Sequence, residues 1–189
     1  MKKHPKIIFS ISILSAILII ILSIFLFQKY KMKKNIDFVY EQTSNVQENI
    51  EKTTDINDLY LKIDGNNVIG VIEIEKINYE GLVYESTSMD VLDKGIGHFE
   101  SSSLFEGNVC LAAHNSNLYW AKLHTLSTGD KIHYTCFLGT KEYEVSNISK
   151  ISETDWDSLK NTDTNVLTLI TCVKGQKDLR LCVQAKEIK

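Results

Sequence analysis

Proline is almost missing from this chain: Pro5 is the only one in 189 residues. Chain reversals must then rest on Gly, Asn, Asp and Ser, and proline-rich linkers or recognition segments are excluded. Arginine is nearly absent too, with Arg180 the single one among 21 basic residues. No net basic excess exists: the formal charge is −3 and the isoelectric point about 6.0, which argues against nucleic acid as a partner. Cysteine is sparse. Cys110, Cys136, Cys172 and Cys182 form no C-x-x-C pair and are too few for the disulfide framework of a small secreted domain. They read as free thiols. Internal repeats and low-complexity tracts are lacking.

One long apolar run is present. Ile7 to Phe27 carries no charge and is interrupted only by serine and alanine. A helix of that length rises about 30 Å, which matches the hydrocarbon core of a bilayer. A secretory signal peptide has a shorter apolar region that ends in small residues, whereas this run ends in Phe25-Leu26-Phe27-Gln28-Lys29. An uncleaved membrane anchor over residues 1–34 is expected. Lysines flank it on both sides, so the positive-inside rule leaves its orientation open, and both flanks suit anionic headgroups. Residues 35–58 are polar and lack Gly and Pro; Ile36, Val39, Thr43, Val46 and Ile50 form a thin helical stripe. A stalk helix and an unstructured linker both fit this segment.

A globular domain is expected over residues 59–189. Val68 to Ile74 reads as a strand, and Thr87 with Asp90 as a capping box opening a helix of one or two turns that stops near Gly95. Asn108 to Ala113 reads as a buried strand, and Ser116 to Leu126 has room for a short helix. Asp130 to Leu138 and Lys141 to Ile148 read as a hairpin about Gly139-Thr140, with Ile132, Tyr134, Cys136 and Leu138 on one face. Cys136 is then a core residue. Thr154 with Asp157 suggests a capped short helix through Trp156 and Leu159. Val166 to Thr171 and Leu179 to Ala185 complete seven or eight short strands. Such a pattern predicts a mainly β fold, a closed or nearly closed barrel.

Two strand ends carry reactive side chains. Cys172 stands at the end of the run Val166 to Thr171 and is followed by a polar turn containing Gly175. A strand-end thiol can meet a substrate where a mid-strand thiol is buried. His114 ends an apolar strand and enters the polar run Asn115-Ser116-Asn117; it is either a catalytic base held by a fixed backbone or a surface-loop histidine. His124 and His133 are accounted for by a helix and a strand, and His98, after Gly97, is undecided. Arg180 follows Cys172 across a tight turn, and antiparallel pairing brings the two together. Guanidinium presents a planar, permanently charged fork that binds oxyanions; the alternative is a surface ion pair. A cysteine nucleophile needs such a proton partner and oxyanion donor, and a nearby cation favours its thiolate.

Thr168-Leu169-Ile170-Thr171-Cys172, with Arg180 opening the next strand, resembles the T-L-x-T-C signature of sortases. Gly107-Asn108-Val109-Cys110-Leu111-Ala112-Ala113-His114 resembles their G-N-x-x-(I/L)-A-G-H segment, and Gly70 to Ile74 with Lys76-Ile77 their G-x-I-x-I-P-K-I strand. Ala113 replaces the usual glycine and Glu75 the usual proline. The resemblance implies a closed eight-stranded sortase barrel behind an N-terminal transmembrane helix, with the catalytic domain outside a Gram-positive cell. It implies an LPxTG-type sorting-signal peptide as substrate, and an amine of a peptidoglycan precursor, or a pilin lysine, as acceptor. Cys172 is implied as nucleophile, His114 as proton carrier and Arg180 as substrate and oxyanion ligand. Class D is the nearest subclass, with class A next. The substrate groove is implied to take in Ala113, Asn115 and Thr171 together with the loop 152–165; Trp156 and Leu159 in that loop suit either the Leu-Pro end of the signal or packing against the barrel. Neither a cofactor nor an obligatory metal is expected, since the acidic residues available (Glu100, Glu106, Glu153, Asp155, Asp157) have no calcium-loop spacing. Among rivals, a papain-like protease places its cysteine before its histidine, the reverse of the order here. A zinc site lacks compact ligand pairs. A membrane-tethered binding domain without catalysis is the remaining alternative.

Overall fold

The computed structural model describes residues 5–47 and 60–188. The chain divides into two compact units, one ending at Asp37 and one from Phe38 onward. Helix α1, Pro5–Gln47, supplies most of the first unit. Its side chains from Ile13 to Phe27 are exposed and overwhelmingly apolar. Among the described residues it is the one helix long and apolar enough to cross a membrane.

In the second unit the last turns of α1 belong with the barrel. Val39 and Thr43 of the sequence stripe are buried, and Tyr40, Thr43 and Ser44 flank a shallow pocket with Glu73, His133, Thr135 and Thr140. Ile50 of the stripe lies outside the described residues.

Among the described residues nine strands follow: β1 Leu61–Ile63, β2 Asn66–Ile74, β3 Tyr79–Glu85, β4 Ile96–His98, β5 Asn108–Ala112, β6 Lys131–Cys136, β7 Gly139–Ser152, β8 Val166–Val173 and β9 Gln176–Glu187. They pair in the order β1-β2-β3-β4-β5-β8-β9-β7-β6, and a further β2–β6 pairing joins the ends. Eight strands thereby close a ring, leaving β1 as an extension hydrogen-bonded to β2. Closure removes the unpaired edges that an open sheet would expose. Inside lie alternate residues of each strand, as a period of two requires: Val109, Leu111 and Ala113; Leu167 and Leu169; Leu181, Val183 and Ala185, with Trp120, Tyr134 and Tyr143 filling the remainder.

Several local expectations need correction. The hairpin β6–β7 turns at Phe137-Leu138, since Cys136 pairs with Gly139; Leu138 is therefore at an exposed turn and off the buried face of Ile132, Tyr134 and Cys136. Helix α2 is only Met89–Leu92, capped by Ser88 with no side-chain bond, so Thr87 and Asp90 form no capping box. Ser116 to Leu126 holds turns and a single 3-10 turn at Leu123–Thr125. The second capping pair is replaced by Asp155, whose Oδ1 accepts from the Asp157 amide at 3.0 Å.

Candidate active site

Strands β5 and β8 run parallel, with Ala112 opposite Ile170, and β8 runs antiparallel to β9, with Cys172 opposite Arg180. Core residues occupy the odd positions of all three strands, so the even positions project from the outer surface of the barrel. His114, Cys172 and Arg180 are all even, and they fall on neighbouring rungs at one end of this three-strand surface. Sequence proximity accounts for only one of these neighbours; the parallel β5–β8 pairing, joining segments 58 residues apart in the bond from Thr171 to Ala113, brings in the other.

Backbone and side-chain bonds fix this end. The Ala113 amide donates to the Ile170 carbonyl at 3.2 Å. Thr171 Oγ1, itself buried, donates to the Ala113 carbonyl at 2.7 Å, and Asn115 Nδ2 donates to the Cys172 carbonyl at 2.7 Å. Thr171 and Asn115 therefore brace the strand ends that carry the thiol and the imidazole. The His114 carbonyl accepts from the amides of Ser116 and Trp120, which holds the following loop tightly against it.

Each polar member has a carboxylate partner that sequence reasoning missed. His114 Nε2 meets Asp93 Oδ1 at 3.1 Å. Asp93 caps α2 at its C-terminus, and its carbonyl accepts from Tyr119 Oη at 2.6 Å, with the Tyr119 ring tilted beside the imidazole. Arg180 Nη2 donates to Glu153 Oε2 at 2.9 Å, while Nη1 donates to the carbonyls of Lys177 and Leu179. These bonds leave donors of the five-donor fork for a further oxygen. The only advance signal of either carboxylate was its presence in a polar loop.

An open groove of ≈ 380 Å³ runs past the three residues. One wall is α2 with Met89 and Leu92; the other is the loop after β7, with Asp155, Trp156 and Leu159; Ala113 and Thr171 lie between. Seven of the eight residues anticipated from sequence thus line one groove, and Asn115 stands behind it on the Cys172 carbonyl. The Trp156 side chain is 65% exposed, so it rims the groove and is not packed into the barrel.

His98 offers a contrast. It is buried in β4, with Nδ1 3.1 Å from Glu85 Oε1 and Nε2 3.0 Å from Ser102 Oγ, an apparent nucleophile–base–carboxylate set. The same Nε2 also faces the Ser103 carbonyl at 3.1 Å, which can only accept, and Ser102 Oγ donates to the Phe99 carbonyl and accepts from the Cys110 amide. The Ser102 hydroxyl proton is thus committed to the Phe99 carbonyl and His98 Nε2 to the Ser103 carbonyl, so the pair holds the loop after β4 and this histidine is structural.

The four cysteines separate cleanly. Burial pushes the thiol of Cys110 up to about 12 and that of Cys136 to about 11, and raises Cys182 as well. Cys172 alone is exposed. Because the thiolate is the reacting species, iodoacetamide should alkylate Cys172 in the native protein and the other three only after denaturation. Equal rates on the native protein, read by peptide mapping, would contradict this arrangement.

The sortase domain family matches residues 72–188. Among curated proteins, the chain is 27% identical over 130 residues to sortase A of Bacillus anthracis, covering 67% of this chain and 62% of that protein. It is 30% identical over 115 residues to sortase D of Bacillus subtilis, covering 60% and 54%. The chain thus spans somewhat over half the length of these relatives. Among solved structures, a sortase D5 transpeptidase of Clostridium perfringens superposes with a TM-score of 0.67 at 27% identity, covering 84% of this chain and 98% of that one. Sortase A of Listeria monocytogenes gives 0.61 at 27% identity, covering 65% and 88%. With the sortase domain matching well over half of the chain and the closed barrel superposing on solved sortases, this chain belongs to the sortase family.

Proposed function

We propose that this protein is a membrane-anchored cysteine transpeptidase of class D type that cleaves an LPxTG-type sorting signal between Thr and Gly. The observation that carries the proposal is the common outer face of β5, β8 and β9, on which His114, Cys172 and Arg180 meet one groove. The Cys172 thiolate attacks the Thr carbonyl carbon. The C–N bond breaks, His114 gives its proton to the departing amine, and a thioester to Cys172 remains. An incoming amine, from a peptidoglycan precursor or a pilin lysine, attacks the thioester and loses a proton to His114; the C–S bond breaks, restoring the Cys172 thiolate and the protonated His114. Arg180 hydrogen-bonds the oxyanion in both steps, a contribution of roughly 3–4 kcal/mol in comparable acyl transfers. The apolar helix α1 holds the enzyme in a single pass, with the barrel outside the cell. Residues 1–34 act as anchor, 35–58 as stalk and 59–189 as catalytic domain.

The test uses the full-length protein in detergent micelles with a small library of LPxTG-type peptides, read by intact mass. The expected product is a peptide fragment ending in Thr, bound through Cys172, with the Gly side released. A folded protein whose Cys172 is alkylated by iodoacetamide but which forms no adduct with any peptide would overturn the proposal in favour of a binding role.

A further inference from the structure

The outer face that ends in His114, Cys172 and Arg180 continues away from the groove through Asn108, Cys110 and Thr168. These residues are buried although they point out of the barrel, because residues Ser158 to Asn161 lie across them. The contact is dense. Asn108 Nδ2 donates to the carbonyls of Ser158 at 3.0 Å and Lys160 at 2.9 Å. The carbonyl between them, that of Leu159, lies 3.8 Å from Cys110 Sγ. In the other direction, Asn161 Oδ1 accepts from the Asn108 amide and from Ser103 Oγ, both at 3.1 Å. Thr168 Oγ1 donates to Asn108 Oδ1 at 2.7 Å, which fixes the side-chain amide with its NH2 toward the loop.

Gly107 makes the approach possible. Its φ is +77°, and a Cβ there would lie 2.1 Å from Asn161 Oδ1. The Gly107-Asn108 pair and Thr168 are thus a receptor for the loop, built at some distance from the reacting thiol. The same loop carries Trp156 and Leu159 into the groove.

We infer that Asn108, oriented by Thr168, is a positioning residue that sets the Trp156–Leu159 wall and so determines selectivity for the apolar end of the peptide. The inference rests on the transpeptidase reading above. Two hydrogen bonds from one buried side-chain amide hold the carbonyls of Ser158 and Lys160, on either side of Leu159, so loss of the amide frees the wall while the row of His114, Cys172 and Arg180 keeps its own bracing.

Asn108→Asp keeps an acceptor for Thr168 and removes both donors to the loop. Asn161→Ala removes the clamp from the loop side at an exposed position and carries little risk to folding. Full-length variants in detergent would be assayed against peptides that vary the Leu-Pro end, with iodoacetamide labelling of Cys172 in parallel. For each variant KM for the parent peptide should rise about tenfold, the affinity equivalent of one or two net hydrogen bonds. Discrimination between Leu and smaller apolar residues should shrink, and kcat and labelling rate should stay within about threefold. Thr168→Ser should retain parental values. Unchanged KM and selectivity in both variants would overturn the inference. So would a parallel fall of kcat, kcat/KM and labelling, which would mark a merely structural role. If the unmodified enzyme processes no peptide, the transpeptidase reading itself has failed.

Discussion

Cys172→Ala will abolish turnover and leave the barrel folded. Both halves follow from where the residue sits. Its side chain is exposed at the end of β8 and contributes nothing to the core. Its backbone roles, the pairing with Arg180 and the carbonyl that receives Asn115 Nδ2, survive in alanine. Exposed truncations away from special features usually shift stability by less than about 0.5 kcal/mol. In the proposed transpeptidase reaction no thioester can form without sulfur, and no other described cysteine is exposed to substitute for it. Peptide cleavage should fall at least about 1000-fold, with a melting temperature within about 2 °C of the parent. Cys182→Ala should behave oppositely: it trims a buried side chain, lowering stability while chemistry persists. Unfolding of Cys172→Ala, or cleavage near the parental rate, would defeat the assignment.

The contrast between these cysteines also shows what a sequence displays. Val166 to Thr171 is a run of β-branched and apolar residues because β8 is covered on both sides, by the core and by the loop after β7, and such runs are hard to mistake. The polarity change at Cys172 then marks where the cover ends. Strand β3 was not foreseen, since Tyr79-Glu80-Gly81 opens it with mixed polarity. β4 is only three residues long, below any useful period. The misplaced hairpin has a specific cause. Gly139 reads as a turn residue, yet it is the first residue of β7, where a Cβ would lie 2.7 Å from the Phe105 ring. Its glycine serves a close approach from a loop more than thirty residues earlier, a contact no local pattern encodes.

The same limit applies to the site. Cys172 and Arg180 were legible as a pair because one tight turn joins their strands. Their groove neighbours were legible chiefly through the resemblance to sortases. Asp93 and Glu153 were not legible by either route: each lies in a segment whose position depends on the closed barrel, and each meets its partner, His114 or Arg180, only in three dimensions. The clamp formed by Asn108 and Thr168 stood in plain view inside two motifs, but its purpose depends on a loop fifty residues away from one of them.

Arg180→Lys will lose most activity even though the charge is kept. The guanidinium makes three directed bonds, to the carbonyls of Lys177 and Leu179 and to Glu153, and these fix its plane, on the residue that pairs with Cys172 and lines the same groove, with donors to spare. An ammonium has three donors on a flexible stem and no fork. If it satisfies Glu153 and one carbonyl, little remains for an oxyanion; if it turns to the substrate, Glu153 is left at the groove with its charge unpaired. The loss should be about 100- to 1000-fold in kcat, the range seen when one oxyanion donor is removed, with KM changed far less. Iodoacetamide should still alkylate Cys172 and the melting temperature should hold, because Arg180 is partly exposed and its ion pair with Glu153 lies at the surface. Glu153→Gln separates the two duties of the arginine. It keeps a hydrogen-bond acceptor and removes the charge, so it should cost much less than Arg180→Lys if the fork acts on the substrate. Near-parental kcat in Arg180→Lys would mean that the oxyanion is held by other donors, and that Arg180 serves chiefly to tie the loop after β7 to the start of β9.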